Sequence, residues 1–341
     1  MNSKSFKVGV VGAGMVGEEL VRVLEQRAFP AEELRIMARS ERTQELAGNK
    51  RHVIAASEEV FDGLDVALFA GTEGESGASQ LFGWKAVKKG VFVVDNGSDF
   101  RMDPRVPLVI PEVNPKAMEG NQGFIANPNC STIQMVVALA PLHEVGVIRR
   151  IVISTYQAVS GTGRAGVRAL REQRTCAAEG IDAELGPYPH QIYDNCLPEI
   201  GSMKEEYPGY YSEEVKMIKE TRKILGEPEM PITATCVRVP VSMSHSETIN
   251  VEFENKMSSE QAREILAKAP GVEVVDDPAS HSYPLAREAS GKDPVYVGRI
   301  RRDPSRENTL DMWCVSDNIR KGAALNTVQI AEKAIEMGIV E

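Results

Sequence analysis

The chain has 341 residues, 42% hydrophobic and 26% charged, which is typical of a soluble globular protein long enough for two domains. Its formal net charge of −10 argues against a nucleic-acid-binding surface, so an anionic substrate would have to be captured by local cationic groups. The five cysteines form no C-x-x-C pair and no Cys/His cluster at zinc spacing, so neither a disulfide framework nor a metal site is predicted. The sequence has no N-terminal apolar segment and no run approaching about 18 apolar residues, so we expect a cytoplasmic protein without a membrane partner.

The first motif is a glycine turn between a strand and a helix. The segment FKVGVVGAGMVGEELVRVLEQ begins as an apolar run, passes through Gly12-Ala13-Gly14-Met15-Val16-Gly17, and continues with Leu and Val at helical spacing. A second strand is predicted over 33–38. This order predicts a dinucleotide site, the alternative being a merely tight turn between strand and helix. The glycines would let the backbone approach a pyrophosphate at the helix N-terminus.

The segment after the second strand indicates which dinucleotide is bound. NAD sites commonly place a carboxylate there for the ribose 2′-hydroxyl, whereas this chain reads MARSERT, with Arg39, Ser40, Arg42 and Thr43 around a single Glu41. Cations and hydroxyls suit a 2′-phosphate, so the segment favours NADP. The alternative is an ordinary solvated basic loop.

Strands and helices then alternate up to about residue 129. Strands are predicted over 65–72 and 91–98 with a helix between them, which indicates a parallel, doubly wound α/β sheet. Beyond that point the predicted strands are 149–163, 232–241 and 246–254, and one-sided alternation in the last favours a mostly antiparallel sheet. We also predict a polar insertion over about 171–211, a helix over 212–225 and an amphipathic C-terminal helix that could return to the first domain.

Cys130 lies in the segment IANPNCSTIQM, where an extended stretch should turn into a helix. The unsatisfied N–H groups and the dipole at a helix N-terminus favour a thiolate, the form of cysteine that attacks carbonyls. Taken alone, the residue is more simply interpreted as an inert core cysteine.

Together these motifs resemble those of bacterial-type aspartate-semialdehyde dehydrogenases along nearly the whole chain. The resemblance rests on the glycine turn and on the segments SDFRMDPRVPLVIPEVN, NPNCST, YQAVSGTGRAG, EEVKMIKET, CVRVPVSMSHSE and DNIRKGAALNTVQIAE. It implies a fold like that of glyceraldehyde-phosphate dehydrogenase, a homodimer and the coenzyme NADP. It also implies an NADP-binding domain over 1–129 plus 318–341 and a catalytic and dimerisation domain over 130–317. The reaction implied is reversible, phosphate-dependent conversion of aspartate semialdehyde to aspartyl phosphate, in lysine, methionine and threonine synthesis.

The resemblance also implies roles for individual residues. Cys130 matches the nucleophile that forms a thiohemiacetal and then a thioester, His245 matches the general acid/base, and Gln157 matches the residue that orients the substrate. Arg238 matches the anchor for the substrate carboxylate. The other substrate-binding residues implied are Asn129, the phosphate ligands Arg101 and Lys216, and Glu213 as partner of the substrate ammonium. The cofactor contacts implied are Gly12, Ala13, Gly14, Met15, Val16, Gly17, Arg39, Ser40, Thr72, Ser160, Gly161 and Asn318.

Most of these residues have a plainer interpretation when each is taken alone. His245 could be a polar turn residue, Gln157 a polar strand residue and Arg238 a strand-edge arginine. Glu213 and Lys216, three apart on a helix, could be a surface ion pair. The glycine turn also departs from the family, which more often has a threonine where Gly14 stands, and the segment 39–43 has more arginines than the family pattern.

Two other functions compete with the dehydrogenase. N-acetyl-glutamyl-phosphate reductases share the fold and the thioester chemistry, but their substrate carries an acylated, uncharged nitrogen that offers Glu213 no ammonium. An inactive dimeric relative would have a regulatory or binding function, and retention of Cys130, Gln157, Arg238 and His245 argues against it.

Overall fold

The structure, a computed structural model, describes residues 5–71 and 74–341. The chain forms two compact units. Unit 1 contains the described residues up to Asn129 together with Ala323–Glu341, and unit 2 is Cys130–Gly322. The residues from 318 to 322 therefore group with unit 2.

Unit 1 is built on a sheet whose described strands lie in the order β3-β4-β2-β1-β5-β6-β7. All neighbouring pairs are parallel except β3 with β4. The central strands are apolar and almost wholly buried, as expected for a parallel sheet covered on both faces. The strands are β1 (Phe6–Val11), β2 (Ala31–Ala38), β3 (Arg42–Leu46), β4 (Asn49–Ala55), β5 (Val66–Phe69), β6 (Phe92–Asp95) and β7 (Phe124–Ala126).

Three α-helices accompany this sheet among the described residues: α1 (Met15–Gln26), α2 (Trp84–Lys88) and α8 (Leu325–Glu336). The apolar faces of α1 and α8 pack into one core with the strands, for example through Leu20 and Val328. The predicted C-terminal helix is therefore part of unit 1, α-helical from Leu325 onward. The predicted helix before β6 begins with a π-helical turn, Ser79–Gly83.

The segment 39–43, expected to be a loop after the second strand, is partly a β-hairpin. Strands β3 and β4 pair antiparallel from Arg42 opposite Val53 to Leu46 opposite Asn49. Ala47 and Gly48 join them with φ angles of +51° and +81°, as a two-residue hairpin turn requires. The loop prediction was wrong from Arg42 onward because an Ala-Gly turn between polar strands gives a weak sequence signal.

Unit 2 contains a mixed sheet whose described strands lie in the order β11-β12-β13-β10-β8-β9. Three pairings are antiparallel, β12–β13, β13–β10 and β10–β8, and two are parallel, β8–β9 and β11–β12. The strands are β8 (Ile148–Gln157), β9 (Ile232–Arg238), β10 (His245–Phe253), β11 (Val272–Val274), β12 (Val295–Arg302) and β13 (Thr309–Ser316).

The α-helices described in unit 2 are α3 (Cys130–Gly146), α4 (Arg164–Glu179), α5 (Ser212–Leu225), α6 (Ser259–Leu266) and α7 (Ala286–Ala289). Most of α3 is buried, and it packs against α5, α6 and strand β10. Helix α5 has the predicted bounds. Helix α4 begins before the predicted insertion and extends into its first residues, for which no secondary structure was predicted. Only four residues of α4 are buried, so its sequence shows a weak apolar periodicity and gives little signal for a helix.

The predicted α/β fold class, a doubly wound parallel sheet followed by a mostly antiparallel one, is confirmed. The helices in residues 5–71 and 74–341 include none long and apolar enough to cross a membrane.

Candidate active site

The glycine turn of unit 1 is shaped by two close approaches of the backbone. Gly12 has a φ of +116°, and a Cβ there would lie 2.4 Å from the carbonyl oxygen of Ala70. A Cβ on Gly17, in the first turn of α1, would lie 1.8 Å from the carbonyl oxygen of Gly12. A Cβ on Gly14 would meet no atom within 4 Å. The first and third glycines are thus needed for packing, while Gly14 leaves space for the approach of a pyrophosphate.

A cavity of about 680 Å³ opens at this turn. Gly12, Ala13 and Gly14 line it together with Arg39 and Arg42. Among its described lining residues there are two arginines and no Asp or Glu. The cavity therefore fits a dinucleotide, and its charge suits a ribose 2′-phosphate better than a bare ribose diol.

Strand β3 is tied to the glycine turn by a residue that sequence reasoning missed. The side-chain amide of Gln44 donates to the carbonyl oxygen of Ala13 at 2.9 Å. Arg42 Nη1 donates to the carbonyl oxygen of Ser40 at 2.9 Å, and its Nε donates to Gln44 Oε1 at 3.0 Å. No pattern in the sequence singles out Gln44, because its role depends on the hairpin. Met15 and Val16 begin α1, and the predicted contact Thr72 lies outside the described residues.

Arg101, also in unit 1, is buried and held by backbone carbonyls. Its Nε donates to the carbonyl oxygen of Asn127 at 2.9 Å, and its Nη2 donates to that of Asn96 at 2.7 Å. Both acceptors directly follow a strand, β6 or β7, so the carboxyl edge of the sheet fixes the guanidinium. Asn129 is also buried and immediately precedes Cys130 in sequence.

Asp95, the last residue of β6, is a buried carboxyl that sequence reasoning did not single out. Its Oδ1 accepts from the Ser79 hydroxyl at 2.6 Å and from the Gly97 N–H at 2.8 Å. Burial raises the pKa of Asp95 to about 6, and these two hydrogen bonds and the Arg101 guanidinium oppose the shift only partly. Asp95 therefore titrates within the range in which enzymes are usually assayed.

Cys130 is the first residue of α3 in unit 2 and is partly exposed, whereas Cys236 and Cys314 are buried. Burial raises the pKa of both buried thiols, so neither is a plausible nucleophile. Gly322 packs against Cys130, since a Cβ at Gly322 would lie only 2.7 Å from Cys130 Cβ. Gly322 lies in the segment DNIRKGAALNTVQIAE, and the family resemblance implies no role for this glycine.

The Gln157 side chain is the centre of a buried network beside the start of α3. Its Nε2 donates to Ser131 Oγ at 2.9 Å and lies 3.2 Å from Glu213 Oε1, to which it also donates. Arg238 Nη1 donates to Gln157 Oε1 at 3.4 Å and to the carbonyl oxygen of Ala158 at 2.8 Å. An amide, a carboxylate and a guanidinium therefore meet next to the residue that follows Cys130.

Glu213 and Lys216 extend this network along α5. Lys216 Nζ lies 3.6 Å from Glu213 Oε2, as their spacing on one helix allows. Glu213 has 7% of its surface exposed, so the pair is not an ordinary surface ion pair.

His245, the first residue of β10, is completely buried. Its Nδ1 accepts a hydrogen bond from the Ala158 N–H at 3.0 Å, so the neutral ring carries its hydrogen on Nε2. Among the described residues, Nε2 has no hydrogen-bond partner. Burial and, second, the Arg238 guanidinium lower the pKa of His245 to about 3, with Glu213 opposing them. His245 is thus a neutral side chain with a donor available at Nε2.

Three predicted cofactor contacts lie in the same part of unit 2. Ser160 Oγ donates to Asn318 Oδ1 at 2.9 Å, and this oxygen also accepts from the Ser244 N–H at 3.0 Å. A Cβ on Gly161 would lie 2.6 Å from Arg238 Nη1 and 3.3 Å from His245 Nε2. Gly161 therefore lets the turn pack directly on these two side chains.

Comparison with known proteins identifies the family. Residues 7–121 match the model "Semialdehyde dehydrogenase, NAD binding domain", and residues 139–321 match "Semialdehyde dehydrogenase, dimerisation domain". The aspartate-semialdehyde dehydrogenase of Aquifex aeolicus is 47% identical, over 98% of this chain and 99% of the relative. That of Synechocystis is 44% identical, over 98% of both chains.

Solved structures agree with this match. Aspartate-semialdehyde dehydrogenase II of Vibrio cholerae, crystallised in complex with ASA, is 41% identical with a TM-score of 0.92, covering 98% of this chain and 99% of that one. The Candida albicans enzyme, crystallised with NADP, is 25% identical with a TM-score of 0.74, covering 99% of this chain and all of that one. The chain belongs to the aspartate-semialdehyde dehydrogenases, a family of oxidoreductases that use a nicotinamide cofactor.

Proposed function

We propose that this chain interconverts L-4-aspartyl phosphate and L-aspartate 4-semialdehyde, with NADP as coenzyme and a thioester on Cys130 as intermediate. The observation that carries the proposal is the buried network around Gln157. It assembles Glu213, Arg238 and Ser131, with His245 bonded to the backbone of Ala158, beside the first residue of α3.

The cavity in unit 1 supports the choice of NADP. Arg39 and Arg42 line it and would hold the 2′-phosphate, while the backbone of the turn from Gly12 to Gly17 would hold the pyrophosphate. When bound, the nicotinamide accepts or supplies the hydride. Ser40, Thr72, Ser160, Gly161 and Asn318 stay predicted cofactor contacts. The Candida enzyme crystallised with NADP gives further support.

Covalent catalysis begins with attack of the Cys130 sulfur on the aldehyde carbon. Attack by a thiolate forms the carbon–sulfur bond and leaves a negative charge on the aldehyde oxygen, which then drives loss of hydride from the same carbon. The product is a thioester. A phosphate oxygen attacks its carbonyl carbon, the carbon–sulfur bond breaks, and the thiolate is regenerated.

His245 would stabilise the oxygen that becomes charged in these steps. Because its hydrogen lies on Nε2, the neutral ring can donate to that oxygen but cannot accept a proton there. We therefore narrow the predicted acid/base role of His245 to that of a hydrogen-bond donor. Gln157 would hold the reacting carbonyl beside the sulfur, a role that needs a fixed side chain with contacts on both ends of its amide.

Charged residues would select the substrate. Arg238 would bind the α-carboxylate, and Glu213 would pair with the ammonium group. An N-acetylated substrate has no such ammonium, so a buried Glu213 disfavours the N-acetyl-glutamyl-phosphate reductase activity. Arg101 and Lys216 would bind the phosphate, and Asn129 would contact the substrate beside the nucleophile. The match to a dimerisation domain over 139–321 and the family resemblance lead us to propose a homodimer.

The test is a spectrophotometric assay of NADPH formation from aspartate semialdehyde, phosphate and NADP⁺, run in parallel with N-acetylglutamate semialdehyde. We expect turnover with the first substrate and little with the second. Cys130→Ala should abolish turnover but retain NADP binding, whereas Cys176→Ser and Cys196→Ser should keep most activity. Turnover by Cys130→Ala, or a preference for the N-acetylated substrate, would refute the proposal.

A further inference from the structure

Glu247 is a completely buried carboxyl group in β10, two residues after His245. Within the described chain, neither of its oxygens has a hydrogen-bond partner. Burying an unsatisfied polar group destabilises a folded protein, and burying an unsatisfied charged group destabilises it more. The proposed reaction gives Glu247 no role, so its place in the interior of the sheet needs an explanation.

The strand register places Glu247 next to the catalytic residues. His245 and Glu247 are two apart in one strand and therefore project from the same face of the sheet. Glu247 lies opposite Thr155 of β8 and Cys314 of β13, and Thr155 lies opposite Cys236 of β9. These four residues form a row, here called the second row, adjacent to the row that contains His245, Gln157 and Arg238.

Helix α3 covers both rows. Its residue Ser131 accepts the hydrogen bond from Gln157 in the catalytic row. Three residues later, the Gln134 carbonyl oxygen accepts from the Cys314 thiol in the second row, at a sulfur–oxygen distance of 3.7 Å. The Gln134 side chain is buried, and in the described residues neither its oxygen nor its nitrogen has a hydrogen-bond partner. The side-chain oxygen of Gln134 therefore lacks a donor and its nitrogen lacks an acceptor. The carboxyl group of Glu247 is close by, and neither of its oxygens has a partner either.

The surroundings of Glu247 favour its neutral form. Burial raises the pKa of Glu247 well above its usual range, and the Gln134 amide opposes this only partly. The other titratable groups around it are the thiols of Cys236 and Cys314 and, two positions along the strand, His245. The pKa of Cys314 is raised mainly by burial and, second, by the negative charge that an ionised Glu247 would carry. The same two causes contribute to the raised pKa of Cys236. A neutral carboxyl can donate to the Gln134 oxygen.

We propose that Glu247 is a positioning residue for the reaction: its carboxyl group pairs with the Gln134 side chain and fixes the first turn of α3, which begins with Cys130, over the strand that carries His245. This rests on the proposed function only in taking Cys130 as the nucleophile. Glu247 itself does not touch the substrate. It acts by setting the place of the sulfur relative to the imidazole, on which near-attack geometry depends.

The test compares Glu247→Leu, Glu247→Gln and Gln134→Leu with the matched control Glu252→Gln, a partly buried glutamate of the same strand whose carboxylate pairs with Arg306. Each variant is made in a Cys176→Ser/Cys196→Ser background, so that iodoacetamide reports on Cys130, the only remaining cysteine that is not buried. The measurements are kcat, the KM for aspartate semialdehyde, the pH profile of the alkylation rate, and the thermal unfolding midpoint.

We expect Glu247→Leu and Gln134→Leu each to lower kcat about tenfold, the effect of one lost buried hydrogen bond, with KM changed less than about threefold. The double variant should lose little more than either single variant. Glu247→Gln, which keeps a donor, should retain at least a third of kcat. The alkylation rate of Cys130 and its pH dependence should change in the leucine variants and not in Glu252→Gln.

Three results would overturn the proposal. A lower unfolding midpoint with unchanged kcat and alkylation would show a merely structural role. An equal loss of kcat in Glu247→Gln and Glu247→Leu would show that the reaction does not depend on a neutral hydrogen-bond donor at this position. Additive losses in the double variant would show that the two residues do not act as a pair. If Glu247→Leu does not fold, the kcat and alkylation rates of Glu247→Gln and Gln134→Leu still test the proposal. An unreactive Cys130 in the parent protein would instead count against the proposed function.

Discussion

The backbone N–H of Ala158 donates to Nδ1 of His245 at 3.0 Å and so fixes the hydrogen of the neutral imidazole on Nε2. Because burial also lowers the pKa of His245 to about 3, we expect the ring to stay neutral throughout the assay range. The pH profile of kcat should therefore show no ionisation of His245 between about pH 5 and pH 8, although an exposed histidine titrates there. NMR of ¹⁵N-histidine-labelled protein should show a hydrogen on Nε2, and a titration of His245 near pH 6.5 would contradict the assignment.

Substitution of the same residue tests its contribution to the rate. His245→Asn should lower kcat roughly 10²–10³-fold, the usual effect of losing one donor to a developing oxyanion, with a much smaller change in substrate KM. His245→Gln, whose amide reaches closer to the position of Nε2, should recover part of the loss. His143→Asn is the matched control, because His143 Nδ1 also accepts a backbone N–H, that of Ile148, at 3.0 Å. A normal kcat with a raised KM would reassign His245 to substrate binding.

The two arginines of the cofactor cavity should determine the choice between NADP and NAD. Replacing Arg39 and Arg42 together by Asp puts negative charge where a 2′-phosphate would lie, so the kcat/KM ratio of NADP to NAD should fall at least tenfold. Lys85→Asp with Lys88→Asp makes the same change in charge at exposed positions of α2 that do not line the cavity. If the NADP-to-NAD ratio of kcat/KM were unchanged in the arginine variant, or fell equally in the control, these arginines would not be the residues that recognise the 2′-phosphate.

Asp95 should make the stability of the protein depend on pH. Its folded-state pKa of about 6 lies above the ordinary value of 3.8, so the folded state holds the proton more tightly than the unfolded state. Its stabilising contribution is therefore complete below about pH 4 and is lost as the pH rises through 6, for a difference of about 3 kcal/mol. Asp95→Asn can keep both hydrogen bonds to Oδ1 without the charge.

Asp95→Asn should accordingly raise the apparent unfolding midpoint much more at pH 8 than at pH 4.5, where most of the stabilising contribution is still present. Asp62→Asn, at an exposed position of unit 1, serves as the control. Equal effects of Asp95→Asn at the two pH values would show that the carboxyl does not titrate between them.

The sequence predicted those features that depend on local pattern or on a family motif. The glycine turn, the central strands and helix α5 follow from apolar periodicity and turn residues, and the helix start at Cys130 follows from the change of pattern after Asn129, while the role proposed for this cysteine comes from the family motif. What it did not predict depends on tertiary contacts. Gln44 acts only because an Ala-Gly turn folds β3 back, and Gly322 matters only because it packs against Cys130. Glu247 and Asp95 look like surface residues until the fold buries them.

Two proposed anion sites should have different kinetic signatures, because the carboxylate of the substrate is present in every step whereas phosphate enters only for acyl transfer. Arg101 and Lys216 would bind the phosphate, and Arg238 would bind the carboxylate. Loss of a charge-assisted hydrogen bond costs about 1.5–3 kcal/mol. Arg101→Leu and Lys216→Leu should therefore each raise the KM for phosphate about tenfold or more. Neither should abolish the burst of NADPH from the semialdehyde, because hydride transfer precedes attack by phosphate.

Arg238→Leu should instead weaken binding of the semialdehyde and suppress the burst itself. Its guanidinium also holds the Gln157 amide and the Ala158 carbonyl, so without it the aldehyde and the residues that orient it lose a common support. Arg105→Leu and Lys219→Leu are matched controls, because each replaces an exposed or partly exposed cation that lies near Arg101 or Lys216 in sequence and pairs with its own carboxylate. If Arg101→Leu abolished the burst, or if Arg238→Leu altered only the dependence on phosphate, the two sites would have to be exchanged. The residue roles inferred from the family would then fail together, because both assignments come from the same residue-by-residue match to the family.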